Sequence, residues 1–201
     1  MKFVRTMMIL CMAVFTVPFV WGLETGKTTP DFKLTNVDGK SWSLQNQRGK
    51  FVVLEWTNPE CPFVKKHYDL GNMQALQKEM TEKGVVWVSI CSSAKGKQGN
   101  YAPAEWKKLI KEKGANPTTV LLDASGKIGK TYGAKTTPHL FVINPEGVLI
   151  YQGAIDDTPS TDPADIADAK NHVREALNEA LNGKTITIPE TKPYGCSVKY
   201  E

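Results

Sequence analysis

Cysteine is scarce in this sequence of 201 residues, in which the thiols are Cys11, Cys61, Cys91 and Cys196. So few cysteines exclude a small scaffold that is held together by several disulfides. The chain also lacks a Cys-x-x-Cys pair, an internal repeat and a low-complexity tract. These absences favour a single folded unit and leave each thiol without a partner nearby in sequence.

The chain also has only a small excess of positive over negative charge. The formal net charge is +4, and Lys2 and Arg5 contribute to it at the N-terminus. Little basic surface remains for contact with phosphates, so no nucleic-acid partner is expected.

A long hydrophobic run occurs only in the N-terminal segment "MKFVRTMMILCMAVFTVPFVWG", residues 1–22. Two basic residues precede an apolar core of ~14 residues, which is short for a membrane span of ~20. The segment predicts a signal peptide and export to a bacterial periplasm or to the outside of the cell. An uncleaved anchor is the alternative, and it is the only membrane contact expected. Cleavage would remove Cys11 and leave three thiols. Because an odd number cannot all pair within one chain, reactive roles are favoured over purely structural ones.

The rest of the chain alternates strand and helix patterns. "KFVVLEWT", "VVWVSIC", "TTVLLD", "HLFVIN" and "VLIYQG" read as strands, and a hairpin is predicted around Asp38-Gly39. One helix is predicted from Pro62 to Lys83, with others in "PAEWKKLIKEKG" and "PADIADAKNHVREALNEALNG". This order indicates an α/β domain over residues 23–183 and a tail over residues 184–201.

Cys61 stands where the strand "KFVVLEWT" passes into the first helix, directly before Pro62. The carboxyl ends of parallel strands carry reactive groups, and proline favours the first helical position. A thiol at a helix N-terminus is stabilised as a thiolate. The partner that a Cys-x-x-Cys pair would offer is replaced by Val64. A buried structural cysteine is the alternative.

A second signal is "GAKTTPHLFVIN", in which Pro138 directly precedes a strand. Together with the upstream strand, Cys61 and helix, it resembles the cis-proline loop of the thioredoxin fold. The chain is similar to the redoxin branch of that superfamily, including peroxiredoxins of the alkyl hydroperoxide reductase/thiol-specific antioxidant group. The resemblance implies a central mixed sheet flanked by helices, an N-terminal hairpin and an irregular C-terminal tail.

The resemblance also implies roles for individual residues. Cys61 matches the attacking cysteine, Pro138 the cis-proline that faces it, and Thr137 the residue whose backbone meets a bound peptide. Two departures weaken a peroxide-reducing role. Asn58 stands where peroxiredoxins have Thr or Ser, and Pro138 falls where they have an arginine that polarises the peroxide.

The second sulfur is left open by the sequence. Cys196 lies 13 residues after Gly183, a reach of up to ~43 Å when extended, so it is a candidate resolving cysteine. Cys91 ends a strand at the edge of the sheet where Cys61 is expected. A bond between Cys91 and Cys196 that leaves Cys61 solitary is the third possibility.

The histidines raise a different possibility. His139, with Cys61 and Cys91, has the ligand chemistry of a copper or zinc site, although no resident metal and no cofactor are expected. His67 and His172 are expected at the surface.

These observations favour an exported thiol-dependent oxidoreductase with antioxidant character, in which Cys61 attacks a disulfide or a peroxide. Its partners would be that substrate and an external thiol reductant. The alternative is a redox-inactive carrier or metal-binding module on the same fold.

Overall fold

The computed structural model of the protein describes residues 22–201. The predicted signal peptide, residues 1–22, lies outside this range except for Gly22. Within the range, no helix combines the length and the apolar character that crossing a membrane requires.

The described residues form nine strands and five α-helices in alternating order. The strands are Lys33–Thr35 (β1), Ser41–Ser43 (β2), Val52–Trp56 (β3), Val86–Cys91 (β4), Thr119–Leu122 (β5), Thr136–Thr137 (β6), His139–Ile143 (β7), Leu149–Gly153 (β8) and Cys196–Ser197 (β9). The helices are Pro62–Asp69 (α1), Asn72–Glu82 (α2), Pro103–Lys113 (α3), Lys127–Tyr132 (α4) and His172–Leu181 (α5).

A central mixed sheet organises the molecule, with the strand order β5-β4-β3-β7-β8. Strands β3, β4 and β5 are parallel, whereas β7 is antiparallel to β3 and β8 to β7. The α/β class and the central mixed sheet confirm the expectation from the sequence, and β1 and β2 form the predicted N-terminal hairpin.

Strand β3 is buried on both faces, as its continuous apolar run predicts. Leu54 and Trp56 belong to one core with Phe141 and Tyr132. Val53 faces a second core that is built with residues of α2 and α5. Burial on both sides fixes the end of β3, and therefore the start of α1.

The helix predicted from Pro62 to Lys83 is wrong in one respect, because the structure has two helices there. Gly71 between them has a φ of 75°, a left-handed conformation that glycine adopts without strain. The break turns the chain so that α2 packs on the sheet separately from α1. The short elements α4, β6 and β9 were not predicted.

The tail is irregular, as expected, but it is fixed along its length. Its backbone bonds to Gln152 near Pro189 and Thr191, and later to Lys135 and Ala94 through Val198 and Lys199. Because these partners lie on different elements, the tail crosses the body of the protein as a fixed segment.

Candidate functional site

Cys61 occupies the N-cap position of α1, with Pro62 at the first helical turn. The backbone N–H groups of Val64 and Lys65 donate to the Cys61 carbonyl at 3.0 and 2.9 Å. The Cys61 residue is fully buried. The thiol therefore lies at a helix N-terminus and is covered by other parts of the protein.

The loop that faces Cys61 precedes β7. Trp56 pairs with His139 in the antiparallel ladder of β3 and β7, so the end of one strand lies beside the start of the other. The peptide bond between Thr137 and Pro138 is cis. In the thiol form, Cys61 Sγ donates to the Thr137 carbonyl oxygen at 3.0 Å.

The tail covers this loop. Strand β9 pairs antiparallel with β6, and the register places Cys196 opposite Thr137. Thr137 also meets Cys61, because its carbonyl oxygen lies 3.0 Å from Cys61 Sγ, so one residue adjoins both cysteines. Both cysteines are free thiols, Cys61 buried and Cys196 half-buried. The structure thus brings together Cys61, Thr137, Pro138 and Cys196.

Several hydrogen-bond donors affect the pKa of Cys61. Burial raises the pKa of its thiol, but the Cys196 and Thr137 side chains and the N–H groups of Cys196 and Val64 outweigh burial and lower it below the ordinary value. The Thr137 carbonyl opposes them, because a thiolate has no proton to donate. The donors outweigh this opposing effect, so Cys61 ionises more readily than an ordinary cysteine.

The Cys196 thiol behaves in the opposite way. Burial, the hydrogen bond with Cys61 and the charge of Cys61 raise its pKa to about 11. Cys61 therefore loses its proton more readily than Cys196 does.

Cys61, Cys91 and His139, the alternative metal ligands, are not grouped as a metal site in the described residues. Cys91 Sγ donates to the Gly99 carbonyl at 3.3 Å, and His139 Nδ1 accepts from the Lys135 N–H at 3.2 Å. Across residues 22–201, no three His, Cys, Asp or Glu side chains lie close enough to bind one metal ion. The thiol of Cys91 is buried, which raises its pKa.

The expectation that His67 is a surface residue is also wrong. The His67 side chain is fully buried, with Nε2 3.8 Å from Asp156 Oδ2 and Nδ1 2.8 Å from Asn72 Nδ2. The hydroxyl oxygen of the tail residue Tyr194 lies 3.4 Å from His67 Nε2. Helical spacing alone could not reveal this burial, because the cover comes from the tail and from the loop before α5.

The two buried histidines predict a loss of stability in mild acid. Burial lowers the pKa of His67 to about 4, against an opposing effect of Asp156, and lowers that of His139 to about 3. Below pH 6.5 the unfolded chain binds protons that the folded chain does not, so the free energy of unfolding falls with pH. Each histidine should contribute a loss of about 1.6 kcal/mol between pH 6.5 and pH 5.

Urea unfolding of the reduced protein at several pH values measures this loss. The variant His139→Gln should lose about half of the pH dependence, whatever its own stability. An unfolding free energy that stays constant from pH 6.5 to pH 5 would contradict the assignment.

One buried acid within the strand before Cys61 was missed in the sequence. Glu55 is fully buried in β3 and accepts hydrogen bonds from Tyr68, Gln77, Trp87 and Ser89 at 2.8 to 3.1 Å. Burial raises its pKa despite these donors. An acid inside the run "KFVVLEWT" was the available signal. Its contacts join α1 and α2 to β4 and so support the strand that precedes Cys61.

Both arginines of the described residues, Arg48 and Arg174, are engaged away from Cys61. Arg174 Nε donates to Glu79 Oε2 at 3.0 Å. The Arg48 guanidinium lies against Gly147, in the turn between β7 and β8. That turn is at the opposite end of β7 from Pro138.

The AhpC/TSA family model matches residues 25–152. The chain belongs to the AhpC/TSA family. Its fold is thioredoxin-like, and solved thioredoxin domains of thiol-disulfide oxidoreductases share it. The redoxin resemblance seen in the sequence is thereby confirmed.

Individual relatives agree with this family. The thioredoxin-like protein YneN of Bacillus subtilis (strain 168) is 33% identical over 121 residues, covering 53% of this chain and 70% of its own. The thiol-disulfide oxidoreductase ResA of Bacillus thuringiensis subsp. konkukian is 28% identical over 130 residues, covering 65% and 69%. An uncharacterized conserved protein from Geobacillus kaustophilus has a similar structure, with a TM-score of 0.75 and 28% identity. The match covers 89% of this chain and 93% of that protein.

Proposed function

We propose that the protein is an exported thiol-disulfide oxidoreductase in which Cys61 is the nucleophile and Cys196 the resolving cysteine. The observation that carries the proposal is that Thr137, beside cis-Pro138, pairs with Cys196 and has its carbonyl oxygen 3.0 Å from Cys61 Sγ. A Cys-x-x-Cys pair would have its second cysteine at position 64, where this chain has Val64. The tail supplies a second thiol instead. Similarity to ResA supports the same class of reaction.

The pKa values set an order of events. The Cys61 thiolate attacks one sulfur of a substrate disulfide, forms a mixed disulfide and releases the other sulfur as a thiolate. Burial still raises the Cys196 pKa afterwards, but the hydrogen bond and the charge of the Cys61 thiolate no longer do. Cys196 then ionises more readily and attacks Cys61 Sγ. The substrate leaves with two electrons gained, and Cys61 and Cys196 are joined as a disulfide.

A disulfide in another protein is the proposed substrate, and an external thiol restores the reduced pair. In the oxidised protein Cys196 is the more accessible sulfur, because Cys61 is fully buried and Cys196 is not. A reductant that attacks Cys196 releases Cys61, whose lowered pKa makes it a good leaving group.

Peroxide reduction, and the antioxidant role that it implies, has less support. Arg48 and Arg174 are engaged away from Cys61, and Asn58 stands where a peroxiredoxin has a hydroxyl. The proposal therefore names a disulfide as the substrate. Export rests on the N-terminal segment, residues 1–22, and a periplasmic or secreted location follows from it.

Replacement of Cys196 by serine should trap the intermediate of this reaction. With a small excess of oxidised glutathione, the wild-type protein should release two equivalents of glutathione and carry no adduct. The Cys196→Ser variant should release one equivalent and keep glutathione on Cys61, because no second thiolate displaces it. Intact mass and peptide mapping measure both outcomes. Release of two equivalents by the variant, or an adduct on Cys91, would contradict the proposal.

A further inference from the structure

The tail has an anchor two residues before Cys196. The Tyr194 hydroxyl donates to Asp156 Oδ1 and lies 3.4 Å from His67 Nε2. The Tyr194 ring packs edge-on against Phe63, in the first turn of α1, with centroids 5.8 Å apart. The anchor thus joins the tail to the same helix that presents Cys61.

The partners of Tyr194 are themselves fixed. Asp156 is buried, accepts from the Thr158 N–H at 3.1 Å and forms a β-bridge with Asn171. His67 is held by Asn72, at the start of α2. A hydroxyl that bonds to a buried carboxylate makes a stronger hydrogen bond than one between neutral groups. The hydrogen bonds described for these side chains do not include either sulfur.

Gly195 brings the tail close to the loop between this anchor and Cys196. A Cβ atom on Gly195 would lie 2.1 Å from the Thr137 carbonyl oxygen. Tyr194 and the pairing of Cys196 with Thr137 therefore fix the chain on both sides of one glycine. The position of the Cys196 sulfur depends on both attachments.

We infer that Tyr194, bound to Asp156 and His67, is a positioning residue that sets the effective concentration of the Cys196 thiol at Cys61. The inference rests on the proposed function, since it concerns the second step of that reaction. In this step the Cys196 thiolate forms a bond to Cys61 Sγ, the bond from Cys61 to the substrate sulfur breaks, and the substrate leaves as a thiolate. The proton of Cys196 passes to water or to the departing thiolate.

The variant Tyr194→Phe in the full chain tests the inference, because it keeps the ring on Phe63 and removes only the hydroxyl. With oxidised glutathione as the probe, quenched-flow mass spectrometry separates formation of the Cys61 adduct from its displacement by Cys196. Displacement should slow by about tenfold, equivalent to about 1.4 kcal/mol of lost positioning. Formation of the adduct should stay within about twofold of wild type.

The equilibrium between the two thiols and the disulfide gives a second measure. In glutathione buffers the Cys61–Cys196 disulfide of Tyr194→Phe should be about tenfold less favoured. Thr187→Val is the matched control, because it removes a tail hydroxyl that is bound to Glu179 in α5 rather than to Asp156 or His67. It should match the wild type in both measurements.

The partners of the anchor allow a further check. Asp156→Asn should slow displacement in the same direction, and the double variant with Tyr194→Phe should be no slower than the slower single variant. Such non-additivity is expected of residues that act through one hydrogen bond.

Three outcomes distinguish the failures. If the wild-type protein forms no Cys61–Cys196 disulfide, the proposed function fails and this inference fails with it. If Tyr194→Phe matches the wild type in displacement rate and equilibrium, only the inference is overturned. Equal slowing of adduct formation and displacement would show a general structural defect and would also overturn it.

Discussion

Replacement of Cys61 by serine is expected to abolish disulfide reduction, with a loss of at least about a thousandfold. A serine hydroxyl is not ionised near neutral pH, so the donors around the sulfur have no thiolate to stabilise. The fold should persist, because serine is close to cysteine in size and the donors can bond to its oxygen. The rate of reduction of oxidised glutathione, with circular dichroism as the check on folding, measures the effect.

Cys91→Ser is the matched control for this loss. Cys91 is also buried, at the end of β4, but its thiol donates to the Gly99 carbonyl and its pKa is raised. The variant should keep most of the activity. If Cys61→Ser retained a tenth of the wild-type rate or more, Cys61 would not be the nucleophile.

Gly195→Ala should uncover Cys61. Gly195 has a φ of 131°, and a Cβ atom there would collide with the Thr137 backbone, so alanine should separate the tail from β6. A strain of about 3 kcal/mol would raise the fraction of open molecules by about a hundredfold. The rate of Cys61 alkylation by iodoacetamide should rise accordingly, measured at a pH high enough to ionise the thiol in both proteins.

The control for this effect is Gly183→Ala, directly before the tail. Gly183 also has a positive φ, of 67°, but no atom lies within 4 Å of the added Cβ. This variant bears the backbone strain without the collision, and it should leave the alkylation rate nearly unchanged. An equal rise in both variants, or in neither, would contradict the view that the tail covers Cys61.

Much of the fold followed from local patterns. The buried runs that became β3, β4 and β7 could be recognised by their apolar residues, and Pro62 marked the start of α1. Those same features predicted that Cys61 would lie at the junction of a strand and a helix. Short-range signals were sufficient because each element buries one continuous apolar segment.

Other features depend on distant contacts and left no local pattern. The break at Gly71 interrupts an otherwise helical periodicity, and His67 is buried by residues far along the chain. The path of the tail is fixed by separate hydrogen bonds to several elements rather than by one periodic face. Its length showed that Cys196 had sufficient reach, but only the pairing of Cys196 with Thr137 gives its place.

The central claim is that Cys61 and Cys196 form one redox pair, and non-reducing peptide mass mapping tests it most directly. The reduced protein, without its residues 1–22, would receive one equivalent of oxidised glutathione, with hydrogen peroxide in a parallel sample. The account predicts a disulfide between the peptides that contain Cys61 and Cys196, with Cys91 unmodified. A stable glutathione adduct or sulfenic acid on Cys61 beside an untouched Cys196 thiol would contradict it.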